Sequence, residues 1–169
     1  MILIDDLPLF EPVERVRYVG QGKAGIIYRL DDYSCVKIPK EIDEKNYRKL
    51  QKEAEIADDL YRGGVSVPKP GGLFRFPLSF GATPSSLKNE TFLLGFVQEF
   101  IDGLLFCNIP NFLRQEAKEK YSEEIDRARA LGFCFFDSFY TGGNVLYKVK
   151  DNSLERAILI DFGSWEKSK

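Results

Sequence analysis

The sequence predicts an α+β fold with a β-rich first half and a more helical second half. Before residue 40, short runs rich in β-branched and aromatic residues alternate with turn residues. Two longer segments then show apolar residues at helical spacing, and two apolar strands follow the second of them. From the change in composition at Asp102-Gly103 we expect an N-terminal lobe over residues 1–101 and a C-terminal lobe over residues 102–169.

The first three predicted strands are short. They cover Arg15–Gly20, Gly25–Leu30 and Tyr33–Ile38, with a glycine-rich loop between the first two and a turn at Asp31-Asp32 before the third. Pro39 is expected to end the third strand, because proline cannot donate a hydrogen bond to a neighbouring strand.

Two helices are predicted from apolar residues that recur at helical spacing. The first runs from about Asp43 to Tyr61 and the second from about Pro110 to Leu131, and glycines end both. Their apolar faces consist of Tyr47, Leu50, Ala54, Ala57 and Tyr61 in the first helix and of Leu113, Ala117, Tyr121, Ile125, Ala128 and Leu131 in the second.

The remaining elements are a loop and further strands. Prolines and glycines over residues 68–72 indicate a loop, and residues 91–101 indicate one long buried strand or a strand pair. After the second helix, Val145–Val149 and Arg156–Ile160 are expected to form a hairpin that turns near Asp151-Asn152.

Composition excludes several classes of function. The chain contains no histidine, which rules out a Ser-His-Asp or Cys-His catalytic unit and the usual ligand sets of zinc hydrolases. The net charge is −2 with acids and bases interspersed, so no basic patch for nucleic acid is expected. Phosphoryl transfer remains compatible with this composition, because it depends on positioning and charge neutralisation rather than on a strong base.

The expected location is the cytoplasm. No apolar run approaches the roughly 18 residues of a membrane span, and the N-terminus carries acids where a signal peptide has basic residues. Cys35, Cys107 and Cys134 are odd in number and far apart, so we expect small core residues rather than a disulfide framework or a zinc site.

The segment Gly20–Gly25 reads Gly-Gln-Gly-Lys-Ala-Gly and is a candidate phosphate-binding loop. A dinucleotide-binding fold would need a helix directly after the glycines, but Ile26–Leu30 has the pattern of a strand. A β-hairpin whose glycine-rich turn covers phosphates with backbone amides fits better. The alternative is a loop without a ligand.

Lys37 is the candidate cation, and Glu53 its candidate partner. Strand alternation places Cys35 and Lys37 on one face, and a lysine in so apolar a strand is disfavoured unless its charge is paired. On the first helix, Glu53 borders the buried face, whereas Glu55 points towards solvent. The alternative for Lys37 is an edge-strand lysine that faces water.

Two acids and an amide form the second candidate group. If the predicted hairpin pairs symmetrically, Asn144 and Asp161 come side by side at its open end, where they could bind Mg²⁺. Alternatively, Asn144 is a turn residue and Asp161 a cap. Asp137 stands in an aromatic stretch, so it is expected to be either catalytic or hydrogen-bonded for structural reasons.

Taken in order, these motifs resemble those of the protein kinase superfamily. The resemblance covers the chain from about residue 14 to the end, and residues 52–68 are particularly similar to compact RIO-type, archaeal tRNA-modification-associated and aminoglycoside-type kinases. It rests on the glycine loop Gly20–Gly25 with Ile27 after it, Cys35-Val36-Lys37, Glu53, the hinge-like Gln98–Gly103, Asp137 with Asn144, and Asp161-Phe162-Gly163.

The resemblance implies a two-lobed protein-kinase-like fold with a β-rich N-lobe and a reduced helical C-lobe. It also implies an enzyme that uses ATP and Mg²⁺ to phosphorylate a protein substrate. The implied ATP-binding residues are Gly20, Gly22, Gly25, Ile27, Cys35, Lys37 and the backbone of Gln98, Glu99 and Phe100; the implied catalytic residues are Lys37, Glu53 and Asp137; the implied Mg²⁺ ligands are Asn144 and Asp161.

The sequence departs from the family pattern in three ways. Asp137 and Asn144 are seven residues apart instead of five, and Phe135 replaces the histidine that usually stands two residues before the catalytic aspartate. The chain ends six residues after Gly163, which implies a truncated C-lobe that a partner or self-association would complete. Two alternatives to a protein kinase follow: a nucleotide-binding protein without catalysis, and an aminoglycoside-type kinase of small molecules.

Overall fold

The computed structural model describes residues 6–11, 16–22, 25–41, 43–77, 92–135, 140 and 142–168. The described strands are β1 Arg17–Gln21, β2 Gly25–Arg29, β3 Ser34–Pro39, β4 Pro70–Pro77, β5 Phe92–Glu99, β6 Phe133–Phe135, β7 Val145–Lys150, β8 Ser153–Leu159 and β9 Trp165–Lys167. The α-helices are α1 Glu44–Arg62 and α2 Arg114–Ala130, and short 3₁₀ helices cover Phe106–Asn108 and Asn111–Leu113. The predicted α+β class is confirmed.

The chain divides into two compact units. The first contains Met1–Ala54 and Pro70–Phe100, and the second contains Glu55–Lys69 and Ile101–Lys169. The sequence predicts one lobe over residues 1–101, whereas in the structure Glu55–Lys69 and Ile101 belong to the second unit. Ser66 in this segment is hydrogen-bonded to two other elements of the second unit: its carbonyl accepts the N–H of Leu159 at 2.9 Å, and its N–H donates to the Glu124 carboxylate at 2.7 Å.

A five-stranded antiparallel sheet with the order β1-β2-β3-β5-β4 forms the first unit. Because side chains alternate along each strand, one face of this sheet is an apolar core. That core contains Tyr28, Leu30, Val36, Ile38, Phe76, Leu93 and Val97, with Phe10, Val16, Ile26 and Phe74 packed against it. Cys35 and Lys37 belong to the opposite face, as the alternation predicts.

Strand β4 lies where the sequence indicated a loop. It begins at Pro70, at one edge of the sheet, where the missing N–H of proline is tolerated. Gly72 has a φ of 105°, and the register with β5 shifts between Pro70 and Gly72. The glycines therefore mark an irregularity in a strand rather than the end of one. Pro39, which the sequence predicts to end the third strand, is the last residue of β3.

Helix α1 begins and ends close to its predicted limits. The Asp43 carboxylate accepts the Asn46 N–H at 2.7 Å, which satisfies one of the unpaired donors at the helix start. At the other end, Gly64 has a φ of 79° and its N–H bonds to the Tyr61 carbonyl. Tyr61 is 43% exposed, contrary to prediction, and Leu60 is buried in its place. No helix of the described residues is long and apolar enough to cross a membrane.

The second unit contains α2 and two small antiparallel sheets. The predicted apolar face of α2 is confirmed except for Leu131, which is 36% exposed and lies just beyond the helix. The β7–β8 hairpin turns at Asp151-Asn152, whose φ values of 50° and 59° are those that a two-residue hairpin turn requires. The pairing of β6 with β9 was not predicted, because strands of three residues are too short to show a recognisable alternation of apolar and polar residues.

Candidate functional site

A row of cross-strand neighbours crosses the sheet face opposite the apolar core. Gly20 pairs with Ile27, Ile27 with Lys37, and Lys37 with Phe96. Because directly opposed residues point to the same face, the side chains of Ile27, Lys37 and Phe96 lie side by side. Three of the residues that the resemblance assigned to ATP binding, Gly20, Ile27 and Lys37, therefore share one row.

Lys37 and Glu53 form a buried ion pair within the first unit. The Lys37 Nζ lies 2.7 Å from Glu53 Oε1 and 2.9 Å from Oε2. Lys37 is 8% exposed and Glu53 is 6% exposed, whereas Glu55, two residues further along α1, is exposed. The sequence prediction that Glu53 is the partner and Glu55 is solvated is confirmed.

The stability of the fold does not explain why Lys37 and Glu53 form a buried ion pair. Removing two charges from water costs about as much as their attraction returns, so an apolar pair of similar size would stabilise the fold equally well or better. The alternative that Lys37 is an edge-strand lysine facing water is wrong, because β3 lies between β2 and β5. The fold therefore buries a charged pair that its stability does not require, which makes Lys37 a candidate functional residue.

The Lys37 side chain packs against Gly25, where a larger residue would crowd it. A Cβ atom at Gly25 would lie 3.1 Å from both Cγ and Cε of Lys37 and 3.0 Å from the Ile38 carbonyl oxygen. The glycine that ends the candidate phosphate-binding loop thus packs directly on the candidate cation. This contact joins two of the predicted features in one local structure.

Within the described residues, neither packing nor backbone conformation requires glycine at the positions of Gly20 and Gly22. A Cβ atom at either position would have no neighbour within 4 Å, and neither residue has a positive φ. The Gly22 N–H bonds to the Gly25 carbonyl at 2.9 Å, so the two ends of the loop are paired; Lys23 and Ala24 lie outside the described residues. Glycines that neither packing nor backbone conformation requires are typical of a backbone that a ligand approaches closely.

Cys35 lies on the same face as Lys37 and is 5% exposed. Its Sγ contacts the Glu99 carbonyl at 3.7 Å, and burial raises the pKa of the thiol to about 12. The prediction of a core cysteine is confirmed for Cys35. It is wrong for Cys107 and Cys134, which are exposed free cysteines in the second unit.

We therefore expect the three thiols to react very differently. With iodoacetamide at pH 8, Cys107 and Cys134 should be alkylated and Cys35 should be protected until the protein unfolds, because only the thiolate reacts. Since the folded pKa of Cys35 is raised, its contribution to stability is complete below its ordinary pKa and is lost as pH rises towards 12. Mass spectrometry of the alkylated peptides measures how far each cysteine has been labelled. Rapid labelling of Cys35 in the folded protein would contradict the prediction.

The segment Gln98–Phe100 is less accessible than the resemblance implied. Gln98 pairs with Cys35 on one side and with Pro70 on the other, because β5 lies between β3 and β4. The Phe100 N–H donates to the Tyr33 carbonyl at 2.7 Å. The Phe100 N–H is therefore already bonded within the first unit, whereas the predicted binding of adenine by the backbone of Gln98–Phe100 stays a prediction.

Asn144 and Asp161 lie at the open end of the β7–β8 hairpin. The Ile160 N–H donates to the Asn144 carbonyl at 2.9 Å, so Asn144 is opposite Ile160 and Asp161 is the next residue. The predicted symmetric pairing of Asn144 with Asp161 is wrong by one residue. The register shifts between Lys148 and Val149, where Glu155 is the extra residue on β8.

The backbone of Asp161 is in an unusual conformation. Its φ of 61° lies in the left-handed region, which costs a non-glycine residue on the order of 1 kcal/mol. The next residue, Phe162, is 1% exposed and its ring packs edge-on against Trp165 at 5.4 Å. Asp161 is thus an exposed residue with a strained backbone, directly before a buried phenylalanine. Strain of this kind often accompanies a functional site.

Asn144 and Asp161 provide the amide and carboxylate oxygens that suit Mg²⁺, which usually keeps few protein ligands. Among the described residues no group of three or more His, Cys, Asp or Glu could hold a metal ion by itself. Phosphate oxygens would therefore have to supply further ligands. Asp137, the predicted catalytic residue, lies outside the described residues.

No protein-family model matches the chain, and a search of curated proteins finds no match.

Proposed function

We propose that this protein is a phosphotransferase of the protein-kinase type, which transfers the γ-phosphoryl group of Mg-ATP to a hydroxyl group of a protein. The proposal includes the two-lobed kinase fold that the resemblance implies, with the sheet as the N-lobe. In it, Lys37 binds the α- and β-phosphates, the loop Gly20–Gly25 covers them, and Asn144 and Asp161 hold Mg²⁺.

The observation that carries the proposal is the buried Lys37–Glu53 pair beneath Gly25. Glu53 neutralises and orients the ammonium group, so that Lys37 is held ready for a phosphate rather than left to adopt many rotamers. Gly25 packs on the lysine stem, and Gly20 and Gly22 leave backbone surface uncovered. Together these residues provide positive charge and close backbone approach, which are the two requirements of a triphosphate.

The residues of the second unit support the metal part of the proposal. Ile160, the residue directly before Asp161, pairs with Asn144, and Asp161 is an exposed residue with a strained backbone. When bound, Mg²⁺ would neutralise the phosphate charge that develops during transfer. In the proposal, Asp137 orients the acceptor hydroxyl and accepts its proton.

Incubation with radiolabelled ATP, Mg²⁺ and a generic acceptor protein tests the proposal, with Asp161→Ala beside the wild type. Label on protein that the substitution abolishes is the expected result. Label only on added small hydroxyl compounds would instead indicate a small-molecule kinase. No label, together with a rise in melting temperature that requires Mg-ATP, would indicate a nucleotide-binding protein without catalysis.

Gly22→Ala should weaken Mg-ATP binding about tenfold, which corresponds to about 1.4 kcal/mol. The added methyl group would occupy the space through which the backbone approaches phosphate, whereas nothing in the fold lies within 4 Å of it. The melting temperature should therefore stay unchanged. Isothermal titration calorimetry measures the affinity, and Gln21→Ala in the same loop is the control that should bind normally. Equal affinity of Gly22→Ala and wild type would exclude the loop from the ATP site.

A further inference from the structure

The second unit contains a cleft of about 580 Å³, which neither Asn144 nor Asp161 lines. Its walls are the end of α1 with the segment that follows it, one face of α2, and β8. All of these residues belong to the same compact unit. We call it the α2 cleft. Its volume lies within the usual range of ligand-binding pockets, which is about 300–1,000 Å³.

Ser66 joins the three walls of the cleft through its backbone. Its N–H donates to the Glu124 carboxylate on α2 at 2.7 Å, and its carbonyl accepts the N–H of Leu159 on β8 at 2.9 Å. Glu124 is 7% exposed, and its carboxylate also accepts a hydrogen bond from Arg127 at 2.6 Å. The walls are therefore bonded to one another, and a preformed cleft loses less entropy when it binds a ligand.

The cleft has an apolar floor and an exposed aromatic residue beside it. Val65, Val67 and Ala157 line the cleft and are almost completely buried. Tyr61 also lines it and is 43% exposed, although the pattern of α1 predicts a buried residue at this position. An apolar centre with an accessible aromatic side chain, surrounded by a polar rim, is typical of surfaces that bind other proteins.

Four charged residues that line the cleft, two of each sign, form no ion pair with any described residue. They are Lys120 and Glu123 on α2 and Glu155 and Arg156 on β8. Successive residues of a strand normally point to opposite faces. The bulge at Glu155 interrupts this alternation, and both Glu155 and Arg156 line the cleft. The cleft therefore presents two acids and two bases to a ligand.

We propose that the α2 cleft binds an extended peptide segment of a partner protein, in which an acidic and a basic side chain are separated by one residue. Lys120 and Glu123 are three residues apart on α2, so their Cβ atoms lie about 5–6 Å apart. Alternate side chains of an extended peptide point to the same side about 6.6 Å apart, which is close to that spacing. A free amino acid carries its ammonium and carboxylate groups on the same carbon atom and matches the spacing less well. The inference is independent of the proposed function.

Selection of random peptides displayed on phage, with the full chain as target, tests the inference. The selected peptides should contain an acid and a base separated by one residue more often than the unselected library does. In fluorescence anisotropy, the exchange of charges in Lys120→Glu with Glu123→Lys should weaken binding of these peptides about tenfold, because like charges then face each other. Peptides in which the acid and the base are exchanged should recover the affinity for this variant.

Asp126→Arg with Arg129→Asp is the matched control. This acid and base have the same spacing on α2 but do not line the cleft, so their exchange should leave peptide binding unchanged. Neither exchange alters the net charge, and both variants should keep the wild-type melting temperature within about 2 °C.

Three results would overturn the inference. One is a selection that enriches no peptide, and another is equal binding of the enriched peptides to the wild type and to the variant with Lys120 and Glu123 exchanged. The third is displacement of the peptides by free amino acids at equal concentration, which would assign the cleft to a small zwitterion.

Discussion

Lys37→Met should reduce phosphoryl transfer at least about 100-fold, because it removes the cation that the proposal places on the α- and β-phosphates. The methionine side chain fills nearly the same space, so the contact with Gly25 is kept. The substitution also leaves the Glu53 carboxylate buried without its partner, for which we expect a loss of stability of roughly 3–5 kcal/mol. Steady-state kinetics and thermal unfolding measure the two effects.

A second substitution separates the loss of function from the loss of stability. In Lys37→Met with Glu53→Leu, both charges are replaced by apolar groups, and the melting temperature should return to that of the wild type or exceed it. Activity should stay as low as in the single variant. Glu55→Gln, an exposed position on the same helix, should change neither quantity. Recovery of activity in the double variant would show that Lys37 has only a structural role.

Asp161→Asn should also reduce the transfer rate at least about 100-fold, because it replaces the charged metal ligand with a neutral one. The fold should be little affected, since the side chain is exposed and asparagine tolerates the left-handed conformation at φ 61°. We expect the melting temperature to change by no more than about 2 °C. Raising the Mg²⁺ concentration should restore part of the rate.

The hairpin offers a matched control for this experiment. Asp151 is a second exposed aspartate with a positive φ, at the other end of the same hairpin. Asp151→Asn should leave the rate and its Mg²⁺ dependence unchanged. If Asp161→Asn turns over like the wild type, or if both substitutions have the same effect, Asp161 is not a metal ligand.

The parts of the site that depend on local periodicity could be predicted from the sequence. Strand alternation was enough to place Cys35 and Lys37 on one face, and helical angles were enough to choose Glu53 over Glu55. Both predictions depend on residues within a single element, where geometry is set by the backbone. The turn at Asp151-Asn152 was also predictable, because few residues adopt its conformation.

The parts that depend on pairing between elements could not be predicted. Strand β4 looks like a loop because Pro70 and its neighbouring glycines are turn residues, and only pairing with β5 makes it a strand. The extra residue Glu155 shifts the register of the hairpin, so that Asn144 lies opposite Ile160. One extra residue in a strand cannot be recognised from the hydrophobic pattern of the sequence. The hydrogen bond from the Phe100 N–H to the Tyr33 carbonyl could not be predicted either, because it joins segments that are distant in the sequence.

The proposed function requires that Lys37 and Asp161 both contribute to the binding of Mg-ATP, and calorimetric titration of a non-hydrolysable ATP analogue tests this requirement most directly. We predict that the wild type binds one analogue only when Mg²⁺ is present. Lys37→Met combined with Glu53→Leu, and Asp161→Asn, should each weaken that binding, and the combination of all three substitutions should weaken it by less than the sum of the two free-energy losses. Binding that is independent of Mg²⁺ and equal in the wild type and Asp161→Asn would contradict the claim.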